Sequence, residues 1–303
     1  MTTLIALKVL RASRLPLRRA FATLRPSPRV EIVKPSASEI SKLSLDARNL
    51  EKAVRHVHQD GLVVVQGIVP HHDIDQLNAK MIEDAFVLQA KDPVATQITT
   101  AVLGPRPKWT FCSANSAMPP LPGASPQRQP VHSDADFSHP AHPFALVVNV
   151  PLVSMTPENG STEVWLGTHS PYGVESQEGA HGDRASGRIQ EQILEERAKT
   201  SPPVQPNVEK GSLIIRDLRL WHAGMPNKSD QVRVMLAMIH FAPWYRNPMR
   251  LEFSEDIKPI LEKLEKEGRL GLDVPVDWAD REKVIQGYLN RGFGNSYDFN
   301  QTP

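Results

Sequence analysis

The run Gly211-Ser212-Leu213-Ile214-Ile215-Arg216-Asp217, followed by Trp221-His222-Ala223-Gly224, decides how this chain is read. A short apolar strand delivers an imidazole just beyond its end, and the alanine and glycine after His222 leave space beside the ring. Eleven residues further on, Arg233 sits inside the next long apolar run, Val232 to Phe241. A guanidinium in such a run needs a partner, because burying it alone costs several kcal/mol, and an anionic ligand is the natural candidate.

Working outward, the texture from about Lys108 is one of short strands separated by Pro, Gly and Asn: Trp109 to Ala114, Ala145 to Val150, Glu163 to Leu166, Ser212 to Arg216 and Val232 to Phe241. Many short strands with turn signals between them indicate a barrel or jelly roll rather than alternating βα units. Upstream, Leu50, Val54 and Val57 recur at helical spacing and Gly61 supplies the stop. Leu62-Val63-Val64-Val65-Gln66 then reads as a buried strand, and Ile74, Leu77, Met81 and Ala85 predict a second amphipathic helix after Pro70. The stretch from Ser170 to Gly211 is an insertion of the length used for lids, with a helix expected around Ile189 to Ala198. Two more helices are expected at Ile257 to Leu264 and Arg281 to Leu289. The predicted organisation is a basic segment over residues 1–40, disordered or targeting, and one domain over 41–303 with its core at 61–245 and its ordered body starting near Leu43. The fold class is thus mainly β with flanking helices.

Composition removes several functions. Cys112 is the single cysteine, so neither an intrachain disulfide nor a thiolate metal cluster is available, and any metal must sit on His and carboxylate ligands. No apolar run approaches the ~20 residues needed to span a bilayer. The net charge of +1 conceals an asymmetry: seven cations, from Lys8 to Arg29, precede the first acidic residue, Glu31, which leaves 28 basic against 34 acidic residues in the remainder. A mildly acidic body is a poor reader of phosphate backbones, and nucleic acid is not an expected partner. The basic segment, rich in Leu, Ala and Ser, reads either as a mitochondrial transit peptide or as a basic tail on a cytoplasmic protein. The C-terminal residues are not a peroxisomal tripeptide. A small-molecule substrate is expected, and a homodimer is compatible with the sequence.

The second informative segment is Gln129-Pro130-Val131-His132-Ser133-Asp134. On an extended strand residues i and i+2 point the same way, so His132 and Asp134 present an imidazole and a carboxylate together. With His222 they make two His and one carboxylate, the set that non-haem Fe(II) oxygenases use with coordination positions left open. A dianionic co-substrate on that ion would leave a far carboxylate for a fork-shaped cation, and Arg233 fits.

These segments together resemble the phytanoyl-CoA dioxygenase family of Fe(II)/2-oxoglutarate-dependent oxygenases, from about Gly61 to Tyr245. The motifs are Val131-His132-Ser133-Asp134, then Glu158-Asn159-Gly160-Ser161-Thr162, then Gly167-Thr168-His169-Ser170 where such families often show Pro-Gly-Ser-His. Trp221-His222-Ala223-Gly224 with Asn227, Ser229 and Arg233 completes them. The resemblance implies a double-stranded β-helix core with iron on His132, Asp134 and His222. It also implies O2 as co-substrate and 2-oxoglutarate held by Arg233, with Thr168 and Gln129 also contacting the co-substrate. The wording around Gln127 to Pro140 and Ala145 to Ser170 looks more like fungal members that tailor small natural products than like the acyl-CoA hydroxylases. The expected reaction is oxidation of an unactivated C–H bond of a small, largely apolar metabolite, by hydroxylation, desaturation or ring formation. Residues that bind that substrate are not assigned. The alternatives are a metal-dependent hydrolase or isomerase on a cupin-like barrel, which would give Arg233 no task, an acyl-CoA hydroxylase of the same family, or a barrel that only binds ligands.

Other candidates have plainer readings. His139 and His142, with Asp136, suggest a second metal but read as loop residues among prolines. His169 is expected to orient its turn by hydrogen bonds, and His71 and His72 to be ordinary residues at a helix start. Trp165 and Trp244 read as core. Cys112, Ser113 and Asn115 could face the substrate, although core packing explains Cys112 equally well. The sequence has no Gly-x-Ser-x-Gly elbow and no nucleotide-binding glycine loop.

Overall fold

The computed structural model describes residues 27–80, 93–121, 123–125, 127–179 and 185–290. In chain order the elements are β1 (Ile32–Val33), α1 (Ala37–Lys42), α2 (Ala47–Asp60), β2 (Leu62–Val65), α3 (His71–Lys80), α4 (Pro93–Leu103), β3 (Lys108–Ala117), β4 (Ala145–Pro151) and β5 (Glu163–Val164). They continue with α5 (Glu191–Thr200), β6 (Leu213–Asp217), β7 (His222–Ala223), β8 (Arg233–Phe241), β9 (Leu251–Ser254), α6 (Lys258–Lys266), β10 (Val276–Ala279) and α7 (Arg281–Asn290).

Six strands form one sheet in the order β1-β2-β6-β4-β8-β3, antiparallel except for the β1–β2 pair. Period two sorts its residues between two faces. Val63, Val65, Leu213, Ile215 and Met238 join Ala53 and Val57 of α2 in the larger core. Their alternates Leu62, Val64, Ile214 and Met235 pack with Met155, Val164, Val208 and Leu220 on the other side. Both faces are covered, which is why β2 and the stretch Val234 to Ile239 of β8 read as apolar runs. Each fully buried Val, Leu or Ile here contributes roughly 1.5–3 kcal/mol. Opposite the sheet, the β5–β7 pair is extended by bridges His132↔His222, Val164↔Val204 and Met155↔Val208. The two layers make a double-stranded β-helix.

Helix α2 starts on Asp46, whose side chain accepts from the Asn49 amide, and ends on Gly61 at φ 78°. A side chain at Gly61 would also collide with the His169 ring, at 2.6 Å from Nδ1. The predicted strands and helices therefore recur with shifted ends, but three features differ from expectation. The ordered body starts before Leu43: β1 pairs with β2, and α1 carries a capping box between Ser36 and Glu39. Helix α4 is hard to read because its outer arc carries only Pro93, Gln97, Thr100 and Ala101, with no charged residue, while Val94, Thr96, Ile98 and Leu103 are buried, so its sequence lacks amphipathic contrast. The parallel β9–β10 pair in the C-terminal region was not anticipated either. Met81 and Ala85, expected on α3, lie outside the described residues. No helix among the described residues is long and apolar enough to cross a membrane.

Candidate metal centre

His132 and His222 lie side by side because their backbones pair directly. Each amide donates to the other's carbonyl at 2.9 Å, and the rings sit 4.3 Å apart by centroid. Each ring also donates through Nδ1 to the carbonyl two residues back, Pro130 for His132 and Leu220 for His222, both at 3.0 Å. Those bonds fix the tautomer and leave both Nε2 lone pairs free to ligate. Each Nε2 lies 3.7 Å from Oδ1 of Asp134, and the three atoms fall within 4.8 Å of one another. This is the single His/Cys/Asp/Glu group of metal-holding geometry among the described residues. His139, His142 and Asp136 do not form a second one.

The other carboxylate oxygen, Oδ2, accepts from Nη2 of Arg216 at 2.5 Å. Burial alone would raise the Asp134 pKa, but the Arg216 guanidinium, its hydrogen bond and the two rings hold the carboxyl well below the usual range. Burial pushes His222 well below the ordinary imidazole value, and Arg216 adds to that against the pull of Asp134. With each Nδ1 committed to a carbonyl, the group offers two imidazole nitrogens and one carboxylate, the donor set for a ferrous ion.

A cavity of about 750 Å³ opens from this group. Its polar lining includes Gln129, His132, Asp134, Asn149, Arg216, His222 and Arg233, set among Leu62, Val64, Phe111, Val147, Met235 and Ile239. Arg233 is 5% exposed, gives Nη2 to the Gly160 carbonyl at 2.9 Å, and keeps Nε buried with no partner. Gly160 reaches it from a tight turn at φ 79°, where a Cβ would strike the Met225 carbonyl at 2.6 Å. Gln129 accepts from the Gly224 amide at 2.9 Å, and a Cβ on Gly224 would crowd that oxygen at 2.5 Å.

Thr168 is placed differently. Its hydroxyl donates to the Trp165 carbonyl at 2.8 Å and accepts from the Trp221 amide at 3.0 Å, which ties the turn to the strand carrying His222. It is fully buried and does not line the cavity. The co-substrate contact expected of Thr168 gains no support from this geometry, because the hydroxyl's one proton is already given to the Trp165 carbonyl. His169 Nε2 meets the His58 carbonyl at 3.0 Å, as an orienting residue does. Cys112 packs against the larger core and burial pushes its thiol up to about 12, whereas Asn115 reaches the cavity. Trp165 is buried, but Trp244 is 53% exposed and not core.

Two arginines were missed. Arg219 grips Asp217 with Nε and Nη2, both at 2.8 Å, and its Nη1 reaches the Pro140 and Ala141 carbonyls. Arg216 is the partner of the metal-binding candidate Asp134. The rule that drew attention to Arg233, a cation in an apolar run, applies to Arg216 as well, and its position two after Ile214 puts it on the same face of β6.

The family described as Phytanoyl-CoA dioxygenase (PhyH) matches residues 82–235, just over half of the chain. Among solved structures, EctD from S. alaskensis in its apoform is 18% identical with a TM-score of 0.53, covering 72% of this chain and 83% of that one. The non-heme alpha ketoglutarate dependent epimerase SnoN from nogalamycin biosynthesis is 17% identical with a TM-score of 0.51, covering 65% of this chain and 84% of that one. At these identities the two structures speak to the shared fold.

Proposed function

Because this chain belongs to the phytanoyl-CoA dioxygenase family, we propose that it oxidises an unactivated C–H bond of a small, largely apolar natural product, releasing succinate and CO2. It is a non-haem iron enzyme with 2-oxoglutarate and O2 as co-substrates. In this proposal His132, Asp134 and His222 hold the ferrous ion. The catalytic domain takes in β1 and α1 as well as the residues after them. The supporting observation is one cavity that holds two tautomer-fixed imidazoles, a carboxylate and a buried arginine with an unused nitrogen.

Each side chain then has a task. The rings donate neutral nitrogens, so the ion's charge is reduced only by Asp134 and a dianion still binds favourably. Arg216 holds the second carboxylate oxygen and orients Asp134 toward the rings. Arg233, anchored on Gly160, presents its remaining guanidinium face to the far carboxylate of 2-oxoglutarate. Gln129 braces Gly224 and lines the cavity beside the metal group, where its amide is in reach of the co-substrate. When bound, the iron and keto acid supply the oxidising power drawn from O2 as the keto acid becomes succinate. Leu62, Val64, Phe111 and Val147 exclude water from the reacting carbon.

Anaerobic addition of Fe(II) and 2-oxoglutarate tests this directly. A weak visible charge-transfer band should appear only with both present, and succinate should follow on admitting air. Asp134→Ala should abolish both signals; a wild-type protein that gives neither signal overturns the assignment.

A further inference from the structure

We infer that Arg216 is a second anion anchor in the cavity, and that the organic substrate carries a carboxylate which this guanidinium binds. The inference deepens the proposed function and rests on it. Arg216 stands in register with Leu62 of β2 and Val147 of β4, both of which line the cavity. It is 7% exposed; Nη2 is taken by Asp134, and Nη1 is buried with no partner. A desolvated donor left unmatched costs ~1–3 kcal/mol, and more when charged, so a ligand that supplies an acceptor there is favoured.

The charges lining the cavity lead to the same conclusion. Among the described lining residues the cations are Arg216 and Arg233 and the anion is Asp134, and the two imidazoles add no charge once they ligate the ion. A ferrous ion and a 2-oxoglutarate dianion cancel, so the protein's own surplus of one positive charge persists in the loaded site. Arg233 is committed to the keto acid, and Arg216 shares its one carboxylate, Asp134, with the ion, so the surplus of positive charge falls at Arg216. Its neighbours Leu62, Val64, Val147 and Ile239 are apolar. A carboxylate on an apolar skeleton matches both the charge and the wall. A coenzyme A thioester, with no carboxylate at its acyl end, does not.

The test uses the full chain under argon with Fe(II) and saturating 2-oxoglutarate. The probes are two acid and amide pairs, decanoate with decanamide and 4-phenylbutyrate with 4-phenylbutanamide, read by perturbation of the charge-transfer band. At least one acid should bind about tenfold or more tighter than its amide, the scale of one charged hydrogen bond. In Arg216→Met, assayed at Fe(II) and 2-oxoglutarate concentrations that saturate the variant, that preference should vanish. Should Arg216→Met fail to take up iron, Arg216→Lys decides, because the retained charge must preserve the preference for the acid. Equal binding of acid and amide, no binding by either acid, or a preference that survives in Arg216→Met overturns the inference. So does loss of the preference in Arg216→Lys. A band without acid preference defeats only this inference, whereas no band in the wild type defeats the iron assignment beneath it.

Discussion

Two ion pairs whose arginines, Arg216 and Arg219, stand three residues apart show what separates structure from chemistry here. Asp217 and Arg219 are wholly enclosed, at 0% and 2% side-chain exposure, and Arg219 directs its bonds to two carboxylate oxygens and two loop carbonyls. Asp134 and Arg216 share a single contact, with the carboxylate 22% exposed and one guanidinium nitrogen unmatched. The first pair closes the loop at Pro140 and Ala141 against the strand that carries the metal group, and Ser133 joins it by donating to the Arg219 carbonyl. The second pair faces the cavity with unused bonding capacity at both ends. A saturated buried pair is scaffold; an unsaturated one is where a ligand belongs.

The largest effect on stability should come from breaking the saturated pair. Removing one member of a buried pair strands the other, at about 3–5 kcal/mol. Arg219→Met should lower metal-free stability in urea titrations by that amount. Asp134→Ala, which breaks a single contact at a carboxylate that is 22% exposed, should lose less than half as much. If the two variants unfold together, the distinction between scaffold and site fails.

Arg233 lies between these cases, with one guanidinium nitrogen anchored on Gly160 and Nε free. Charge-assisted bonds contribute ~1.5–3 kcal/mol, so Arg233→Ala should weaken 2-oxoglutarate binding by roughly ten- to a hundredfold while Fe(II) affinity changes little. Calorimetric titration of metal and of keto acid into each protein separates the two. Equal losses for both would make Arg233 a structural cation like Arg219.

Much of the site was legible because its residues obey local rules. His132 and Asp134 share a face by strand alternation, and Arg233 stands out as a charge in an apolar run. What could not be read is reciprocity between distant segments. The mutual amide bonds of His132 and His222 depend on a layer pairing across 90 residues, and Arg216 acquires meaning only once Asp134 is seen 82 residues away. Helix α4 escaped for a different reason, since its outer arc carries no charged residue to betray its period. Thr168 was drawn to the co-substrate by its motif, yet its hydroxyl serves the backbone.

That last residue gives the smallest and most discriminating test. Thr168→Val keeps the shape of the side chain and removes only the hydroxyl between the Trp165 carbonyl and the Trp221 amide. The amide is one residue from His222, so losing its acceptor should loosen the metal strand more than the cavity. The expected loss is about 1 kcal/mol in stability, the worth of an ordinary hydrogen bond, with Fe(II) affinity falling a few-fold. At saturating iron, 2-oxoglutarate affinity should stay within about twofold of wild type, because the hydroxyl lies behind the cavity wall and not on it. A fall in keto-acid affinity with metal binding intact would place Thr168 beside Arg233 after all.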